Sequence, residues 1–188
     1  KVQEGWSEGG FDDGEWNAVT LTTADALKVS APYWTRVPLI RVGDVFTPVE
    51  VTNPQSNMVV YDFGVNFSGI PYIKVKGEAG QKIMFRYGEL LNSEELTKSD
   101  GEPGSVYRGN LTDAQATDYY VLSGDPDGEI FYPKMTTHGF RYMECVGVNF
   151  TITEANLLEV EGHALYSDLD RTGYFESSDE LVNQLYEN

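Results

Sequence analysis

Short runs of aromatic and β-branched residues recur between Met58 and Leu165: MVVYDFG, YIKVKG, KIMFRYGEL, SVYRGNL, TDYYVLSG, EIFYP, FRYMECVGV and LLEVEGHALYSD. Most are closed by Gly, Pro, Asp or Asn, as in GEAG and GDPDGE, residues whose backbone freedom or short polar side chains make turns. No helical stretch separates them, so the pattern predicts an all-β domain, an antiparallel β-sandwich or jelly roll. Upstream, PLIRVGDVFTPVEV carries prolines within an alternating pattern and reads as edge-like extended chain leading into the sheet.

The period changes at both ends. Residues 1 to about 30 are rich in Gly, Asp and Glu, with Trp6, Phe11 and Trp16 scattered among them and no sustained repeat. The close of the chain, FESSDELVNQLYEN, predicts a short C-terminal helix in which Ser177 caps the first turn, Glu180 completes a capping box, and Leu181, Val182 and Leu185 share a face. About three turns are too few to be stable without a packing partner. A start at Lys1 and a helix cut at Asn188 read as boundaries shared with neighbouring domains.

The stretch TTHGFRYMECVG at 136–147 concentrates the rarer chemistry: His138 is one of two histidines and Cys145 is the sole cysteine. Alternation puts Phe140, Tyr142, Glu144 and Val146 on one face and Arg141, Met143 and Cys145 on the other, as expected of a central strand covered on both sides. A buried Arg141 then requires a carboxylate or carbonyl partner, for which Asp62 and Asp118 are candidates.

Charge narrows the function. Thirty acidic against thirteen basic residues give a formal charge of −17, a field that repels phosphate backbones and anionic membranes, so neither nucleic acid nor membrane is expected as a partner. A lone cysteine excludes an intrachain disulfide, and His138 and His163 are too far apart in sequence for a zinc motif, so no metal and no cofactor are expected. The acidic loops SDLDRTG, DDGE and GDPDGE lack the EF-hand spacing and read as solvated turns. No GxSxG elbow, phosphate loop, dinucleotide fingerprint or ExDxxE strand is present. Three sequons begin at Asn66, Asn110 and Asn149. Sugar stacking on exposed aromatic rings is the remaining route to binding, with Trp6, Trp16 and Trp34 as candidates.

Four segments, VVYDFGVNFSGI at 59–70, RYGELLN at 86–92, ATDYYVLSGD at 116–125 and HGFRYMECVG at 138–147, resemble in order the concanavalin-like β-sandwich domain of bacterial α-L-rhamnosidases of glycoside hydrolase family 78. EGWSEGGFDDGEW is similar to the end of the family's amino-terminal sugar-binding-like domain, and GYFESSDELVNQLYEN to the first helix of its (α/α)6 barrel. The resemblance implies a tail and linker over 1–36, a β-sandwich over 37–168, and a linker with the first helix of a helical barrel over 169–188. It makes Asp62, Asn66, Asp118, His138 and Arg141 structural signature residues, and gives Trp6, Trp16, Asp12 and Asp13 a possible carbohydrate-binding role. The family usually carries glutamine where Val65 stands.

In that family, inverting hydrolysis of terminal α-L-rhamnose uses one carboxylic acid to protonate the leaving oxygen and a carboxylate to activate water. Those acids lie in the helical barrel, around a DxxQRDE-type segment that this sequence does not contain. The resemblance therefore implies no catalytic residue here. The implied partners are the barrel of the same polypeptide and rhamnose-containing glycans.

Overall fold

The computed structural model describes residues 3–23, 38–95 and 101–188; Trp34 and the expected domain boundary at 36/37 lie outside them. In chain order the strands are β1 (Ile40–Phe46), β2 (Glu50–Thr52), β3 (Met58–Val75), β4 (Lys82–Gly88), β5 (Leu90–Leu91), β6 (Val106–Tyr107), β7 (Thr117–Val121), β8 (Glu129–Phe131), β9 (His138–Gly147) and β10 (Leu157–Ser167). They are followed by helix α1 (Glu180–Glu187). The main sheet is antiparallel in the order β1-β10-β3-β9-β4-β7, with β2 and β8 also paired to β3, and β5 pairs with β6 apart from it.

Strand β3 organises the sheet. Its first half pairs with β2, its second half with β10 and β8, and β9 runs beside it from Met58 to Gly69 across the break. The sequence pattern divides this stretch into two strands, MVVYDFG and YIKVKG; the structure runs them together through a register break between Asp62 and Phe67. Gly64 sits in that break at φ 77°, a conformation open to glycine without strain. The bend lets one strand serve both halves of a curled sheet.

The sheet closes over one large core, and a smaller cluster of Met58, Val60 and Val106 packs separately from it. Phe85 of β4 stacks on Phe131 of β8 with centroids 4.7 Å apart, although β4 and β8 are not neighbours in the sheet. Val59, Tyr61 and Phe63 from one half of β3 and Ile73 and Val75 from the other point into the same core. An aromatic chain crosses it, from Phe46 to Phe67 (5.0 Å), Phe140 (4.5 Å) and Tyr87 (5.1 Å). Gly162 makes room, since a Cβ there would lie 2.4 Å from Cζ of Phe67.

Two local expectations change. Phe140 shares the core with Met143 and Cys145 rather than the opposite face with Tyr142 and Val146, because the register break opposite Phe140–Tyr142 resets the alternation. Helix α1 is capped by Asp179, whose side chain accepts from the backbone N–H of Leu181 (2.9 Å) and Val182, rather than by Ser177. Ser177 instead braces the entry, receiving the Asp179 N–H and exchanging bonds with the Asn183 side chain. A carboxylate is the better cap beside the positive end of the helix dipole. SVYRGNL yields the two-residue strand β6 and a 3-10 turn at Gly109–Leu111.

One charge is fully inside. Glu144 of β9 has no exposed surface, and it is held by Nε of Arg86 on β4 at 2.6 Å, by Arg86 Nη2, and by the backbone N–H of Val106 at 2.9 Å. The pair ties β9, β4 and β6 together. Arg86→Ala leaves that carboxylate without its cation and is expected to cost about 3–5 kcal/mol, seen as a lower urea midpoint at unchanged m-value. The double variant Arg86→Met with Glu144→Gln, which keeps an acceptor for Val106, is expected to recover most of the loss.

Candidate functional site

The five signature residues lie on the central strands β3 and β9 and on the edge strand β7. Asp62 on β3 is in register with Tyr142 on β9, and Arg141 grips it through two parallel bonds, Nε to Oδ1 and Nη2 to Oδ2, both 2.8 Å. The Gly64 N–H adds a third bond to Oδ1 at 2.6 Å. Asp118 of β7 does not serve Arg141; it takes the Tyr87 hydroxyl (3.0 Å) and contacts His138 Nε2 (2.9 Å), while the His138 ring stacks on Tyr87 at 4.1 Å. Asn66, within the β3 break, donates to Glu89 at 3.1 Å, and Asn110 donates to the other oxygen of the same carboxylate at 3.1 Å.

These pairings set the electrostatics. The Arg141 bonds hold the Asp62 carboxyl below the usual aspartate range, against the opposing effect of partial burial. Burial, reinforced by Asp118, keeps the Tyr87 phenol protonated far above its ordinary range. Burial likewise pushes the Cys145 thiol up, and with no exposed surface it is no nucleophile. Glycoside hydrolysis needs one protonated and one ionised carboxyl facing each other across open space. Here Asp62 is clamped, Glu144 is sealed under Arg86, and Asp118 is spent on Tyr87 and His138. Their arrangement holds strands together.

The amino-terminal candidates form a separate feature. Gly5 and Gly10 adopt positive φ in a turn-rich segment that carries Trp6 (59% exposed) and Trp16 (48% exposed). Trp16 donates Nε1 to Gln3 at 2.6 Å and packs against Phe11 with centroids 5.5 Å apart. Asp12 accepts from the Gly14 N–H at 3.0 Å, and Asp12 and Asp13 are both exposed. The structure does not bring this group to the five signature residues through any hydrogen bond or ring contact among the described residues. Also among the described residues, no three His, Cys, Asp or Glu side chains converge to hold a metal, and no helix is long and apolar enough to cross a membrane.

Sequence reasoning missed Arg86 and Glu89. Arg86 was signalled: an arginine inside the apolar run KIMFRYG and a glutamate inside FRYMECVG are opposite charges in two buried strands. Glu89 gave no such signal, because its partners Asn66 and Asn110 are brought to it by the β3 break and the loop before β7.

Residues 52–166 match the family model described as the bacterial alpha-L-rhamnosidase concanavalin-like domain. The chain is 31% identical over its full length to an alpha-L-rhamnosidase of Streptomyces avermitilis and 30% identical over 98% of its length to one of Alteromonas sp.. It covers 17% and 19% of those proteins, so it spans less than a fifth of the length of the relatives it matches. Among solved structures, the alpha-L-rhamnosidase from Dictyoglumus thermophilum aligns with a TM-score of 0.77 at 30% identity, over 99% of this chain and 19% of that one. The Streptomyces avermitilis enzyme complexed with L-rhamnose aligns with a TM-score of 0.75 at 30% identity, over 98% and 16%.

Because Asp62 titrates below its unfolded value, its pair with Arg141 stabilises the fold fully above about pH 4 and is lost as pH falls through the lowered folded value. Asp62→Asn is expected to melt lower than the wild type at about pH 6 and to converge with it as the pH falls below the ordinary aspartate range. Thermal unfolding across that range checks this, and parallel curves would show that the pair is not the linked group.

Proposed function

The chain belongs to the bacterial alpha-L-rhamnosidase concanavalin-like domain family, and on that premise we propose that it is the non-catalytic β-sandwich module of an α-L-rhamnosidase. The polypeptide that carries it would remove terminal α-L-rhamnose with inversion, using acids outside this module. One observation carries the reading: the carboxylates set beneath the surface of the sheet, Asp62, Asp118 and Glu144, are each committed to a bond with another strand, which suits them to holding geometry rather than to proton transfer.

In this reading residues 37–168 are the sandwich, 1–36 the end of a preceding β domain with its linker, and 169–188 the linker and first helix of a helical barrel. Helix α1 supports the last assignment, because Leu181 (74%) and Leu185 (75%) present an apolar stripe to solvent. Arg171 braces the linker against the helix through two bonds to Glu187, with its guanidinium over the rings of Tyr174 and Tyr186. A helical neighbour in the same polypeptide is the partner that stripe fits.

A second reading rests on the half-exposed Trp6 and Trp16, with Asp12 and Asp13 beside them, as the remainder of a rhamnose-binding surface. The two readings separate experimentally. The purified chain is expected to release no aglycone from an aryl α-L-rhamnoside above a denatured control, and turnover would overturn the non-catalytic reading. Titration with L-rhamnose, followed by tryptophan fluorescence with and without calcium, is expected to give a saturable change only if the tryptophan segment binds sugar.

A further inference from the structure

Two irregularities of the sheet meet at one cleft. Strand β1 carries a bulge where Val42 pairs with Leu165 but Val45 pairs with His163, so that Gly43 and Asp44 together face one position of β10. The second is the β3 break at Asp62–Phe67. Both border a cleft of about 680 Å³ between the sheet and the last turn of α1, within the range that holds small ligands. Bulges recur beside binding sites because they re-aim a side chain out of the regular pleat.

The side chains at this cleft form a recognisable set. Tyr166 of β10 is half exposed and donates its hydroxyl to Asp44 Oδ2 at 3.3 Å. Its ring lies against Gly43, where a Cβ would fall 2.3 Å from Cδ2, so glycine at that position is what allows the ring to lie down on the strand. Ser68 and Gln184 contribute hydroxyl and amide groups, and Asn66, whose side-chain N–H donates to Glu89, adds its amide oxygen. Asp44 and Glu187 are the charged residues among those described at its lining, and Glu187 is already neutralised by Arg171.

A flat aromatic ring next to groups that both donate and accept matches a pyranose, which offers an apolar C–H face for stacking and hydroxyls of mixed character at its edge. The residual negative charge of Asp44 selects against an anionic sugar. We propose that this cleft is a binding site for a neutral sugar ring, with Tyr166 as its platform and Asp44 as its hydroxyl acceptor. The ligand class follows from the cleft itself; only the choice of L-rhamnose as first probe rests on the module reading above.

The test is a titration of the 188-residue chain with L-rhamnose, D-galactose and D-galacturonate, followed by amide nitrogen–proton correlation spectra. Saturable shifts at Asp44, Asn66 and Gln184 are expected with at least one neutral sugar, and binding about tenfold weaker with galacturonate. Tyr166→Ala is expected to weaken the neutral sugar about tenfold while Tyr166→Phe stays within about threefold. Asp44→Asn is expected to narrow the gap between neutral and acidic sugars. The proposal is overturned by no saturable shift at those amides, by shifts confined to the Trp6–Trp16 segment, by equal binding of galacturonate, or by undiminished binding in Tyr166→Ala. Neither the aryl-rhamnoside assay nor tryptophan fluorescence reads this cleft, so its failure and theirs remain separate results.

Discussion

An 18-residue strand would run roughly 60 Å if straight, longer than a domain of this size is wide. Strand β3 must therefore bend, and the register break at Asp62–Phe67 is where it does. The rest of the structure depends on how that break is held. On the core side, Phe63, Phe67 and Phe140 pack around it with centroids 4.5–5.8 Å apart. At its start, Asp62 is fixed by Arg141 and by the Gly64 N–H. Apolar burial supplies the driving force, and the ion pair selects one register among those open to a bending strand.

The same economy governs the interior polar groups. Removing a charge from water is costly unless it is paired and hydrogen-bonded, and the sheet meets that condition at Glu144, Asp62 and Asp118 by assigning each to a neighbouring strand. The consequence is functional: groups committed in this way cannot exchange protons with a substrate. Acidity is abundant elsewhere, at a formal charge of −17, in surface turns and at outward strand positions such as Asp44, Glu50 and Glu159, where it governs the sign of ligand the surface tolerates.

What remains available for recognition lies where the sheet is irregular. The β1 bulge and the β3 break border one cleft, and the half-exposed tryptophans stand in a turn-rich segment ahead of the sheet. A chain that spans under a fifth of its matched relatives thus combines a tightly bonded centre with irregular, exposed edges.

The strands themselves were legible because alternation and turn chemistry are local: β4, β7, β8, β9 and β10 fall where the aromatic runs predict them, and charge alone named Asp62 and Asp118 as candidate partners for Arg141, between which only the fold chose Asp62. Three features were decided only in three dimensions. Phe140 moved to the core face because a register break in a partner strand, 73 residues earlier at Phe67, resets the pleat, and no local period records that. Asp179 rather than Ser177 caps α1 because the choice depends on where the backbone leaves the linker. The cleft at Tyr166 joins residues from β1, β3, β10 and α1, each ordinary in its own segment. Sequence by itself determined the elements and the need to pair buried charge, since both follow from short-range sterics and solvation; which residues meet was settled by register and curvature, which are properties of the closed sheet.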